Sequence, residues 1–157
     1  MSDRAFHRAL LLLTLAGIGI AAYLTYVHYR GLSPICAINE GCEKVQSSSY
    51  AKVGGVPVPL IGLIGYIAIL ASLLVRGVAA RLATAGMALG GFAFSVYLTG
   101  LELFEIHAIC QWCVGSAIVM TSIALLATIR ALRAPGDPLA APEQPHARLL
   151  ELEGEAA

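Results

Sequence analysis

Charge is scarce in this sequence. Of its 157 residues only 10 are Lys or Arg and 10 are Asp or Glu, balancing to a formal net charge of zero. With no basic excess to meet a phosphate backbone, no nucleic-acid partner is expected. Apolar residues make up 58% of the chain and the mean hydropathy is +0.78, which excludes an ordinary soluble globule. The scarce charges are also clustered, so long stretches carry none. A membrane-spanning helix needs roughly 20 mainly apolar residues. Four segments meet that need, at about residues 9–29, 57–75, 82–104 and 109–129. Their interiors lack Asp, Glu, Lys and Arg, except for Glu102 in the last turn of the third. The expected fold class is an all-α integral membrane protein, a four-transmembrane-helix bundle with a long extracytoplasmic first loop.

The first segment follows Arg4 and Arg8, as a signal peptide would, but its apolar run continues through Val27, beyond the length of a signal core. It reads as a retained span. Basic residues then set the orientation. An even number of helices puts both termini on one side with Arg4, Arg8, Arg76, Arg81, Arg130, Arg133 and Arg148. The other side holds Arg30, Lys44 and Lys52, and no Lys or Arg occurs between helices three and four. Both termini are expected in the cytoplasm, with the loop at residues 30–56 outside. That loop is too long for a plain helical hairpin, and its second half could cap the membrane surface. Gly86 and Gly90 in helix three, with Gly17, Gly62 and Gly65 elsewhere, read as close-packing positions between membrane helices. Residues 1–130 form the expected membrane domain. Residues 131–157, with Pro135, Pro138, Pro142 and Pro145, read as a disordered cytoplasmic tail.

Cysteine is equally sparse, and its placement carries the chemistry. Cys36 and Cys42 fall in the outer loop, while Cys110 and Cys113 open helix four at the same face. Dithiols on that side can be oxidised and stay so. Cys110-Gln111-Trp112-Cys113 puts two sulfurs on one helical face, within bridging reach. The helix N-terminus favours the reactive thiolate there. Cys36 and Cys42 can bridge each other across Asn39-Glu40-Gly41, and a mobile loop can carry either to Cys110. Two such pairs form a relay. Two other readings stay open, a zinc site built from all four cysteines and a scaffold with static disulfides. A c-type haem is excluded, because Val114 stands where its histidine must be.

At these residues the sequence resembles the vitamin K epoxide reductase family, in its bacterial branch. The match runs through Cys36-x5-Cys42, Ser48-x-Tyr50-Ala51, Gly55-Val56-Pro57, Gly62, Tyr66 and Ala108-x-Cys110-x-x-Cys113. It covers all four helices. The DsbB-type quinone reductases place their C-x-x-C in the first outer loop instead, so the order here argues against them. The resemblance implies a bundle holding a quinone, ubiquinone or menaquinone, near its outer end, with no metal. Cys113 would face the quinone, Cys110 would exchange with the loop, and Cys36 and Cys42 would shuttle electrons. Those electrons would come from a thioredoxin-fold, DsbA-like protein on the extracytoplasmic side, which emerges oxidised. Ser48 would support the site by hydrogen bonding. Tyr66, Trp112 and His107 are further candidates for the quinone pocket. No thioredoxin-like domain follows helix four, so the partner is expected to act in trans. Ala117 stands where the vertebrate enzyme has a tyrosine, so plain quinone reduction is expected rather than epoxide reduction. The implied setting is a prokaryotic inner membrane.

Overall fold

A computed structural model describes residues 3–36 and 41–133 of the chain. The first long helix, α1, runs over Asp3–Arg30. It stops at Gly31, whose φ of +64° continues the backbone in the left-handed region at little cost. The Gly31 N–H donates to His28 O (3.3 Å) and the Leu32 N–H to Val27 O (3.1 Å), the paired bonds that close a glycine-ended helix. Residues 32–36 are extended.

The outer loop is more ordered than its composition suggests. It contains a short helix, α2 (Gly41–Ser47), then a single 3-10 turn, Ser49–Ala51. A two-stranded hairpin follows, β1 (Lys52–Val53) against β2 (Val56–Pro57). Gly54 and Gly55 form its turn with φ of +59° and +85°, a backbone that matches the twist of a tight hairpin. This small ribbon is the one departure from an all-α chain among the described residues. It delivers the backbone into α3 (Val58–Leu74).

Gly77, at φ +127°, then reverses the chain into α4 (Val78–Leu101). The last turn of that rod widens into a π-helical turn, Glu102–Ile106, closed by His107 in the left-handed region. Helix α5 covers Gln111–Leu132. The expected tail beyond residue 133, including Arg148, lies outside the described residues.

Helix α1 packs on α3 and α5, and α4 also packs on α3 and α5, closing a four-helix ring. Leu10, Tyr66, Ile69, Ala88, Ile123 and their neighbours fill its centre. The outward side chains include Leu12, Leu15, Ile64, Ile67, Leu89, Ile118 and Leu125. A surface of that kind would collapse in water but suits hydrocarbon. By length and composition, three helices among the described residues can cross a membrane: Arg4–Arg30, Val78–Ile106 and Gln111–Leu132. The chain is a multi-pass helical membrane protein. Helix α3, equally apolar, is shorter at 17 residues.

Polar groups inside the ring are satisfied locally or across helices, as a bilayer demands. Thr14 Oγ1 donates to Leu10 O (2.7 Å), and Ser72 Oγ meets Thr84 Oγ1 (2.8 Å) between α3 and α4. Tyr66 Oη donates to Ser116 O (3.0 Å), tying α3 to α5. Close approach occurs at two glycines. A Cβ at Gly17 would run into the Tyr66 ring, and one at Gly91 would lie 2.8 Å from Met120 Sδ. A Cβ at Gly86, Gly90, Gly62 or Gly65 would meet nothing within 4 Å, so the glycine pair four apart in α4 is not the contact. Its neighbour Gly91 is.

Candidate dithiol site

The four cysteines gather at one end of the ring. Cys36 and Cys42 are joined in a disulfide, with Cα atoms 6.3 Å apart. Cys110 and Cys113 are free thiols. Cys42, Val45 and Cys110 form a small buried cluster, and Cys36, Ile106, Ala108, Trp112 and Cys113 pack against it. Both Cys42 and Cys110 have no exposed surface, whereas Cys36 is only half-buried. One disulfide therefore rests directly on a reduced C-x-x-C. A zinc site of four cysteines needs four thiolates, and two of these sulfurs are bonded to each other.

Cys110 is the N-cap of α5. Its Sγ accepts the Cys113 backbone N–H at 3.4 Å, so the sulfur takes the place of the usual capping oxygen. Its thiol, in the turn ahead of the spanning helix, has its pKa lowered. The hydrogen bond from the Cys113 thiol is the main cause, and the Cys113 and Trp112 backbone N–H groups add to it. Burial and the Glu102 carboxylate pull the other way. A helix-capping sulfur shifted toward the thiolate is the better nucleophile for disulfide exchange.

Glu102 reaches this site through the π-helical turn. The wider turn and the left-handed His107 fold the chain back, so that Ala108 N–H donates to Glu102 O (3.2 Å). The Cys110 N–H then donates to Glu102 Oε2 at 3.2 Å. The same carboxyl makes a side-chain hydrogen bond with Cys113. Glu102, the one charge in the expected third span, is only 5% exposed.

Below the cysteines the ring encloses a mainly apolar cavity of about 460 Å³. Cys113 and Glu102 stand in its wall, together with Tyr66 and Gly90, and Ser48 and Gln46 roof it from the loop. Cys110 does not line it. Ser48 Oγ donates to Val45 O at 2.7 Å, capping the end of α2 and so bracing the roof. The Gln46 side-chain oxygen is buried with no hydrogen-bond partner among the described residues. Two sequence candidates stand elsewhere. His107 is exposed, with Nδ1 3.2 Å from Glu105 O. Trp112 packs its ring on Tyr23 at 4.9 Å and donates Nε1–H to Ile35 O at 2.9 Å. Gln111 Nε2 donates to the same carbonyl (3.4 Å), and the Ile35 N–H donates to Tyr23 Oη (3.1 Å). Both backbone groups of the residue before Cys36 are thus fastened to α1 and α5.

Glu102, Gln46 and Tyr23 escaped the sequence reading. Glu102 alone left a trace there, as a carboxylate at the end of an otherwise uncharged span.

The fold and site define a class: a helical membrane protein with a reduced dithiol set between a disulfide and an apolar cavity. The sequence profile of the vitamin K epoxide reductase family matches residues 8–128, and the chain belongs to that family. It is also similar to a plant protein, thiol-disulfide oxidoreductase LTO1 of Arabidopsis thaliana, with 48% identity over 46 residues. That segment is 29% of this chain and spans 12% of the plant protein's length.

Proposed function

We propose that this protein is a membrane thiol:quinone oxidoreductase that oxidises the dithiol of a thioredoxin-fold, DsbA-like partner and so supports disulfide formation. The carrying observation is that Cys113 lies in the cavity wall while Cys110, beside it, shares a buried cluster with Cys42 of the disulfide. Family membership and the similarity to a plant thiol-disulfide oxidoreductase support the thiol chemistry. The cavity fits a quinone. Its volume lies in the range of small-molecule sites, its walls are mainly apolar, and an amide oxygen without a partner belongs to Gln46 in its roof. Either ubiquinone or menaquinone meets these terms.

A quinone supplies a two-electron, two-proton acceptor. Cys113 presents its sulfur to the cavity, and Cys110 closes on it to form the Cys110–Cys113 disulfide as both S–H bonds are lost. Reduced Cys42, buried against Cys110, is placed to attack that disulfide, releasing Cys113 as a thiol. Cys36 then resolves the mixed disulfide, restoring the Cys36–Cys42 bond and the reduced C-x-x-C. Half-buried Cys36, beside the exposed Ile35, is the sulfur a partner dithiol reaches. The partner loses two electrons and two protons and gains a disulfide.

The proposed setting is the inner membrane of a prokaryote, crossed four times, with both termini in the cytoplasm and the cysteines outside. Residues 1–130 would be the catalytic membrane domain.

The test is a single turnover of fully reduced protein with a quinone analogue, following quinone absorbance and free thiols together. Wild type should lose quinone and thiols in step. Cys113→Ala should lose neither, and Cys36→Ala should still oxidise the Cys110–Cys113 pair once. Wild-type protein that leaves quinone and thiols untouched would sink the proposal.

A further inference from the structure

Glu102 has no place in the scheme above, yet its position is costly. A carboxyl 5% exposed within a lipid-facing bundle carries a desolvation penalty that backbone capping alone does not require. A neutral amide would accept the Cys110 N–H equally well. The chain also departs from regular α-helix at this residue. Wide π-helical turns recur at functional sites, where they redirect one side chain. Here the turn at Glu102–Ile106 brings residue 102 back to residue 110. The carboxyl then touches the backbone of one redox cysteine and the thiol of the other, and it stands in the wall of the same cavity as Cys113. Two tyrosines also stand in that wall: Tyr66 has its hydroxyl committed to Ser116, and Tyr50, in the loop, is exposed. Cys36 and Cys42, bonded together, carry no proton in this state.

Resting on the quinone-reductase reading, we infer that Glu102 is the catalytic base that takes the Cys113 thiol proton and passes it into the cavity to the reduced acceptor. The Cys110 S–H bond gives its proton to water at the outer face. Loss of the Cys113 proton to the Glu102 carboxylate accompanies formation of the Cys110–Cys113 bond, and two electrons leave the sulfurs for the acceptor. Glu102 then gives that proton to one acceptor oxygen, and water on the outer side supplies the second. The carboxylate is restored. An apolar cavity has few other routes for a proton, so a fixed carboxyl between thiol and acceptor fills a chemical need.

Glu102→Gln is the informative substitution, because the amide keeps the size and the acceptor for Cys110 N–H but cannot carry the proton. It should slow single-turnover quinone reduction by about 100-fold, the lower end for loss of a general base. Wild-type rates in Glu102→Gln overturn the inference. A second measurement needs no variant: time-resolved infrared spectra of wild-type protein after mixing with the quinone analogue. A carboxylic-acid C=O band should rise and decay within the turnover. Turnover with no such band overturns the inference even if Glu102→Gln misfolds. Wild-type protein that does not reduce quinone at all removes the underlying reading, and this one with it. Reduction that proceeds without Glu102 removes this one alone.

Discussion

Single residues hold the ring together at points where no other size fits. Gly17 is the clearest: α1 passes so near α3 that the Tyr66 ring occupies the place of a side chain. Tyr66 cannot retreat, being buried and bonded through its hydroxyl to Ser116. Gly17→Ala should therefore destabilise the fold by about 1–3 kcal/mol, the usual cost of overpacking. Thermal unfolding in detergent would measure it, and pairing the change with Tyr66→Leu should recover part of the loss. No recovery in the double variant would mean that the two residues do not oppose each other as described. Sequence spacing drew attention to Gly86 and Gly90, because a small-residue repeat is visible in a string of letters. Gly17 reads as a close-packing position too, but a string of letters does not show that its partner is the Tyr66 ring. The four cysteines were legible for the opposite reason, since their chemistry depends on local spacing and on side of membrane. Glu102 was illegible as a site residue because its return to Cys110 requires a π-helical turn, which leaves no periodic mark.

Elements show the same division. The long helices could be read from uncharged runs, and their ends moved by only a few residues. The loop could not, because a seven-residue helix and a two-residue ribbon are too short for any period to emerge. What the loop builds is a roof and an arm. The arm, residues 32–36, carries Cys36 and is fixed at Ile35 by Tyr23, Gln111 and Trp112. Trp112 sits inside the C-x-x-C, so the two cysteine pairs are joined mechanically. Trp112→Phe keeps an aromatic ring beside Tyr23 but deletes the donor to Ile35 O. A lost hydrogen bond of about 1 kcal/mol should slow exchange between the two pairs roughly fivefold. Rapid mixing with acid quench and thiol trapping would read that step separately from quinone reduction, which should move less. Equal slowing of both would assign Trp112 to the cavity instead of the arm.

At the scale of the whole molecule the question is how often the chain crosses. The end of α1, the outer loop and the start of α5 meet at the cysteine cluster, so they share one end of the ring. The end of α4 joins them, because Glu102 bonds Cys110. Helix α4 must then begin at the opposite end. Helix α3 starts beside the loop ribbon and stops just short of α4, so it has to travel the full depth of the ring. At 1.5 Å per residue its 17 residues span about 25 Å, slightly less than a hydrocarbon core of about 30 Å. Local thinning and the flanking residues can absorb that mismatch. The proposed topology therefore has four crossings, with residues 75–77 on the inner side. In a cysteine-free background, Val75→Cys should resist a membrane-impermeant maleimide in intact cells and react in inverted vesicles. Lys52→Cys should do the reverse. If both labelled from outside, residues 75–77 would not lie opposite the cysteine cluster, and the four-crossing topology would fail.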